Sequence, residues 1–187
     1  MAEGRGVAQE PCPVGDVLEL AAGTGLWTRV LAESAGSLTA VDASPQMLAI
    51  NRARPGHDAV AFIQADLFGW RPLRAVDLVA FGFWISHIPD DHLVAFFDMV
   101  SGALRPGGRV WFVDSTLNTE SSSVDLGLVR PSEQTVRRRL NDGSEYEIVK
   151  VFHDPTELIQ RLATLGWDIQ VRSSGEFFYV GCGGAAA

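Results

Sequence analysis

The sequence predicts an α/β domain on a doubly wound, largely parallel sheet that closes with an antiparallel hairpin. Three observations lead there. Apolar strand-like runs alternate with helical patterns from residue 17 to residue 114. The first run enters a glycine turn, Ala21-Ala22-Gly23-Thr24-Gly25, that opens a helix. The chain then ends in two β-rich runs, Trp167 to Arg172 and Phe177 to Cys182, around Ser173-Ser174-Gly175-Glu176.

The first strand, near 16–20, carries Val17, Leu18 and Leu20, suited to burial on both faces. Gly23 and Gly25 allow positive φ and leave no Cβ between backbone and a ligand, while the following helix aims N–H groups into the crevice. The spacing Ala21-x-Gly23-x-Gly25, with no third glycine at Trp27-Thr28, departs from a dinucleotide fingerprint. Glu19 at the strand end repels a pyrophosphate and suits a ligand bearing an ammonium group.

A second strand, near 38–42, closes on Asp42, 17 residues after Gly25. Ser44 is placed to cap the next helix with Pro45 at its first position. A carboxylate at this point of a doubly wound fold accepts hydrogen bonds from ribose hydroxyls; helix capping is the alternative use of Asp42. The third strand, near 60–65, runs into Ala65-Asp66-Leu67, where an acid also makes an Asx-turn. The fourth, near 77–82, precedes Phe83-Trp84-Ile85-Ser86-His87-Ile88-Pro89. Leu93, Phe96, Phe97, Val100 and Leu104 then recur at helical spacing after Asp90 and Asp91. Pro106-Gly107-Gly108 ends that helix and reverses the chain into a fifth strand near 109–114.

Residues 115–153 form an insertion. Its polar start, Ser115 to Ser123, reads as a mobile loop, and Thr135 to Leu140 with Glu145 to Phe152 flank the hairpin turn Asn141-Asp142-Gly143-Ser144. Following the fifth strand, it emerges at the ligand-binding edge and is expected to line or cover a substrate pocket, or else to form a decorative or oligomer-forming hairpin. Asp154-Pro155-Thr156-Glu157 starts a last helix whose buried face is Leu158, Ile159, Leu162 and Leu165, stopped by Gly166.

With 187 residues, 47% hydrophobic and 20% charged, the chain has the size and apolar content of one domain. A net charge of -8 opposes a phosphate-tracking surface, so nucleic acid is a poor partner, and Arg137-Arg138-Arg139 reads with Asp142, Glu145 and Glu147 as a solvated hairpin face. No apolar run reaches the roughly 18 residues of a membrane helix. Met1 to Val7 lacks a signal-peptide pattern, which predicts a cytoplasmic protein. Cys12 and Cys182 read as thiols, and two cysteines with four scattered histidines offer no zinc set.

In order and spacing, Glu19-x-Ala21-x-Gly23-x-Gly25, Asp42, Ala65-Asp66-Leu67 and Leu104-Arg105-Pro106-Gly107-Gly108 resemble the motifs of class I S-adenosylmethionine-dependent methyltransferases. The resemblance spans about residues 16–183. It implies a Rossmann-like, doubly wound, seven-stranded sheet with a C-terminal antiparallel hairpin strand, in one domain: a cofactor-binding half at 14–114, the insertion at 115–153, and the final helix and hairpin at 154–183. It also implies S-adenosylmethionine as cofactor, held by Glu19, Ala21, Gly23, Gly25, Asp42, Ala43, Met47, Asp66, Leu67 and Phe81. Asp42 would take the ribose, Asp66 the adenine amino group, and the backbone at Phe81 and Gly82 the methionine part.

The expected function is methylation of oxygen or nitrogen on a small-molecule acceptor. The alternatives are a related protein that binds the cofactor without transferring methyl or that catalyses another reaction, and nicotinamide-dependent oxidoreduction, which Glu19 and the missing glycine disfavour. In-line displacement at a sulfonium is helped by positioning and desolvation, and a base is needed where the nucleophile must lose a proton. His87 directly after the fourth strand is the candidate base, with a turn before the helix as its structural alternative. Phe81, Phe83, Trp84 and Trp111 favour an apolar or planar acceptor, so Trp84 and His87 are the candidate substrate contacts, and Trp27 is expected against the cofactor. Only 16 residues precede Val17, too few for the capping helices of such enzymes, so closure is expected from the insertion or from a second copy in a homo-oligomer.

Overall fold

Continuous burial along the central strands, on both faces, dictates two helical layers about one sheet. The computed structural model describes residues 14–116, 135–139, 143 and 145–186. In chain order the elements are β1 (Val14–Leu20), α1 (Leu26–Ala32), β2 (Ala35–Asp42), α2 (Pro45–Arg52), β3 (Ala61–Gln64), β4 (Val76–Gly82), α3 (Leu93–Ala103), β5 (Leu104–Ser115), β6 (Thr135–Arg139), β7 (Glu145–Val149), α4 (Pro155–Thr164), β8 (Trp167–Ser174) and β9 (Phe178–Ala185). The main sheet has seven strands in the order β3-β2-β1-β4-β5-β9-β8. Its first five are parallel, and β9 runs antiparallel between β5 and β8.

Leu18, Leu20, Val79, Phe81, Val110 and Phe112 face one side, against Phe96, Phe97 and Val100 of α3 and Leu158 and Leu162 of α4. Val17, Leu78, Ala80, Trp111 and Val113 face the other, against Trp27 and Leu31 of α1. Each such valine, leucine or phenylalanine, removed from water, stabilises the fold by roughly 1.5–3 kcal/mol. Glu19 falls in the odd-numbered series and so projects beneath α1, one carboxylate among apolar neighbours. Because β1 lies between β2 and β4, the chain switches direction at its carboxyl end and opens a crevice there.

The α3 and α4 stripes fall where their periodicity places them, except that Leu104 opens β5 instead of continuing α3, and Ile159 and Leu165 are half-buried beside the fully buried Leu158 and Leu162. Asp154 caps α4 by accepting from the N–H groups of Thr156 (2.8 Å) and Glu157 (3.1 Å). Among the boundaries that differ, three have a physical cause in the structure. β2 begins at Ala35, not Leu38, because the small residues Ala35 and Gly36 let it lie close to β1, from Val14↔Ala35 onward. Leu-Arg-Pro-Gly-Gly does not reverse the chain outside the sheet: Leu104 already pairs with Val76, and the next residues bulge with Gly107 at φ 78° before Arg109 pairs with Leu78. β7 ends at Val149, short of Phe152, because Lys150 turns into the interior.

In the small hairpin, register sets Arg137 opposite Glu147 and Arg139 opposite Glu145. Among the described residues no helix is long and apolar enough to cross a membrane. Residues 1–13 with Cys12, most of the expected mobile loop, and the turn around Gly143 lie outside the described residues.

Candidate functional site at the carboxyl edge of the sheet

The turn after β1 has an alternating backbone: Ala21, Gly23 and Gly25 take φ of 51°, 53° and 88°. Positive φ costs an alanine about 1–2 kcal/mol, and Ala21 bears that strain where glycine would not. Gly25 has a second requirement, since a Cβ there would lie 2.2 Å from Asn51 Oδ1. At Gly23 the nearest atom to such a Cβ is the Ala21 carbonyl oxygen at 4.0 Å, so its demand is conformational alone. Arg54 donates to the Thr24 carbonyl and clamps the turn from outside.

Asp42 ties this turn to β2. One carboxylate oxygen accepts from the Gly23 N–H at 2.8 Å and the other from the Ser44 N–H at 2.8 Å. Each oxygen keeps a further lone pair for a ligand hydroxyl. Capping of α2 falls to Ser44, whose Oγ accepts from the Met47 N–H at 3.3 Å. Ala43 and Met47 are exposed beside Asp42. The Ala65 N–H donates to the Asp42 carbonyl (3.0 Å), which brings Asp66 to the same edge. Asp66 is exposed and accepts from the Phe68 N–H at 3.1 Å, an Asx-turn, while the Leu67 side chain is buried in the core.

One aromatic expectation changes in role. Phe81 stacks on Phe112 with ring centroids 5.3 Å apart and packs edge-on against Phe96, so its ring belongs to the core. Trp27 lies across Gly82 and packs on Trp111 at 5.0 Å, partly buried against the core. Gly82 is required for this, since a Cβ there would meet the indole at 2.2 Å. Phe83 follows with φ 57°, a strained geometry for a bulky residue, held by its N–H bond to the Val113 carbonyl at 2.7 Å. Trp84 packs on Phe68 (5.8 Å) and keeps a buried Nε1–H without a hydrogen-bond partner.

His87 closes the short 3₁₀ turn Ile85–His87, and its Nδ1 lies 2.7 Å from the Val149 carbonyl. A carbonyl only accepts, so Nδ1 carries the proton and Nε2 is the acceptor nitrogen of the neutral ring. The Val151 N–H donates to the Ser86 carbonyl at 2.7 Å. The end of the insertion is thus strapped to the turn after β4.

That strap contains a group the sequence reading missed. Lys150 is 7% exposed and its Nζ donates to Ser86 Oγ (2.7 Å) and Ser115 Oγ (3.2 Å), 3.6 Å from Asp114 Oδ1. Asp114, fully buried, also accepts from the N–H groups of Ser86 (3.0 Å) and Ser115 (2.7 Å). The available signal was one lysine inside the apolar run Ile148-Val149-Lys150-Val151-Phe152.

Glu19 does not stand at the open edge. It is 1% exposed and accepts from the Thr28 hydroxyl at 2.5 Å; burial pushes its carboxyl up to about 8, against a partial lowering by Thr28. The Thr28 hydroxyl in turn accepts from Asn51 Nδ2 at 2.8 Å. Among the described residues no group of three or more His, Cys, Asp or Glu is arranged to hold a metal ion.

A doubly wound sheet with a glycine-rich, left-handed turn at its switch point defines a ligand-binding α/β domain. Comparison with known proteins narrows the class. Residues 17–108 match the sequence pattern of a family described as "Methyltransferase domain". The chain is 44% identical to DhpI in its SAM–HEP complex, with a TM-score of 0.81, covering 93% of this chain and 80% of that one. It is 29% identical over 159 residues to the ubiquinone biosynthesis O-methyltransferase of Xylella fastidiosa (strain 9a5c), covering 82% of this chain and 61% of that enzyme. Over 94 residues, 49% of this chain and 36% of the other, it is 34% identical to the trans-aconitate 2-methyltransferase of Escherichia coli (strain K12 / DH10B). The chain therefore spans about three fifths, or less, of these two curated relatives. It belongs to the class I S-adenosylmethionine (SAM)-dependent methyltransferase family and has its Rossmann-like fold, with two antiparallel pairings at the C-terminal end of the sheet.

Proposed function

We propose that this protein binds SAM across the carboxyl ends of β1, β2 and β4 and transfers its methyl group to an oxygen or nitrogen of a small-molecule acceptor. The observation that carries the proposal is the Asp42 carboxylate bridging the Gly23 and Ser44 N–H groups, which joins the glycine-rich turn to an acid whose remaining lone pairs suit ribose hydroxyls. The residues present fit the cofactor: the left-handed turn offers backbone at close range, and the Asp42 carboxylate tied to it keeps lone pairs for ligand hydroxyls. SAM, when bound, supplies an electrophilic methyl group on a sulfonium.

Asp42 would hold the ribose, Asp66 the adenine amino group, and the backbone from Ala21 to Gly25 and at Phe81 the methionine part, with Ala43, Met47 and the backbone of Leu67 bordering the adenosine. His87, oriented by the Val149 carbonyl, would take the acceptor's proton at Nε2, a role that contributes roughly 10²–10⁴-fold to a rate. Trp84 and the strained Phe83 would border the acceptor. Both curated relatives are named as methyltransferases of small molecules, one of them an O-methyltransferase, which supports an oxygen acceptor.

Calorimetric titration with SAM and with NAD tests the cofactor; binding of NAD alone would overturn the reading. Formation of S-adenosylhomocysteine with a panel of phenols, carboxylic acids and amines tests transfer. SAM binding without that product across the panel would identify a binding protein instead.

A further inference from the structure

A buried hydrogen-bond chain runs beneath the glycine turn. His57 Nδ1 lies 2.8 Å from Asn51 Oδ1 and 2.9 Å from the Asn51 carbonyl, so it carries the proton and donates to both oxygens. Asn51 Nδ2 donates to Thr28 Oγ1 (2.8 Å), and the Thr28 hydroxyl donates to Glu19 Oε2 (2.5 Å). All four side chains are buried, and every bond points its donor toward Glu19. One tautomer of His57 and one flip of Asn51 satisfy this order. The chain touches the cofactor turn directly, since Asn51 Oδ1 occupies the place a Cβ of Gly25 would take.

Among the described residues no group supplies a counter-charge to Glu19. Its neighbours across the sheet are Ala40 on β2 and Ala80 on β4. Thr28 faces it from α1, Asn51 and His57 stand behind Thr28, and the charged group acting on it is Asp42, which repels a second carboxylate. The Arg54 guanidinium is engaged at the Thr24 carbonyl. A buried carboxyl in these surroundings keeps its proton near neutral pH, and burial places its ionisation near 8.

We propose that Glu19 is a proton-linked counter-charge for the cofactor, neutral under an empty turn and ionised when a sulfonium ligand lies on it, with Thr28, Asn51 and His57 as the positioning residues that aim it. The inference rests on the SAM-binding reading above. The step is simple: the Glu19 O–H bond breaks, the proton passes to buffer, and the carboxylate remains to balance the ligand's cation. Methyl transfer then removes the sulfonium charge, and Glu19 takes a proton back, which weakens the hold on the demethylated product. Glu19 thereby acts on cofactor exchange through charge.

The test is titration of the full chain with SAM at pH 7 in buffers of different ionisation enthalpy. Heat that varies with buffer is expected, corresponding to release of about 0.9 proton, the fraction a group ionising near 8 still holds at pH 7. S-adenosylhomocysteine, lacking the sulfonium, should release fewer. E19Q, which keeps an oxygen to accept from Thr28, should bind SAM with buffer-independent heat. T28V, which removes a hydrogen bond that favours the carboxylate, should move the pH midpoint of proton release upward. Failure of SAM to bind the wild-type chain would overturn the cofactor reading itself. Binding with no proton release, equal release with S-adenosylhomocysteine, or undiminished release in E19Q would overturn the Glu19 proposal alone.

Discussion

Replacement of Lys150 by methionine isolates the energetic role of the strap between the insertion and the sheet. Methionine approximates the length of the lysine stem but removes the amine, leaving Asp114 buried with its charge uncompensated. Breaking a buried ion pair from one side costs about 3–5 kcal/mol. Asp114 retains its bonds from the Ser86 N–H at 3.0 Å and the Ser115 N–H at 2.7 Å, which places the expected loss at the lower end, about 3 kcal/mol. At about 2–4 °C per kcal/mol for a domain of this size, the melting temperature should fall by about 6–12 °C. Urea unfolding of the ligand-free protein, followed by fluorescence of its five tryptophans, measures the change directly. K150M combined with D114N removes both charges and should recover more than half of the loss. A single-variant loss below about 1 kcal/mol, or a double variant no more stable than the single, would refute the argument from an uncompensated buried charge.

Four further outcomes are expected. D42A should weaken SAM binding at least tenfold, about 1.4 kcal/mol, by calorimetry; unchanged affinity would remove the ribose assignment. H87A should lower kcat by about 100-fold or more while cofactor affinity stays within about twofold, and full activity would remove His87 from the mechanism. G25A should destabilise by about 3 kcal/mol, combining a left-handed alanine with displacement of Asn51, whereas G23A should cost only about 1–2; equal losses would contradict the contact at Gly25. Glu19 makes stability fall as pH rises: the folded chain holds this proton until about 8, the unfolded chain loses it near 4.5, so between these values the folded state binds more protons. The contribution is complete below about pH 4.5, amounts to at most roughly 5 kcal/mol, and is gone above about pH 8. E19Q should flatten that slope in urea titrations at pH 5 and pH 8, and an identical slope would show that Glu19 ionises normally.

The parallel core, its terminal antiparallel hairpin and the positions of Gly23, Gly25, Asp42 and Asp66 were legible along the chain, because each rests on local chemistry. Strands buried on both faces need continuous apolar runs, left-handed turns need glycine, and Ser44-Pro45 and Asp154-Pro155 start helices through their own side chains. Family resemblance then supplied the cofactor. Side-chain direction was less legible: Phe81 and Trp27 are close to the crevice in sequence yet point into the two cores, because alternation along β4 and the space over Gly82 decide where a ring fits.

What the sequence determined by itself is therefore the order of elements, the crevice at the switch point and the acids on its rim. The fold alone decided which polar groups meet in the interior. Lys150 and Asp114 are separated by 36 residues, and His57 reaches Glu19 only through Asn51 and Thr28 on two different helices. Such partners share no local pattern, since a buried charge or hydrogen bond is satisfied by whatever the packed layers bring within about 3 Å, and chain separation carries no information about that distance.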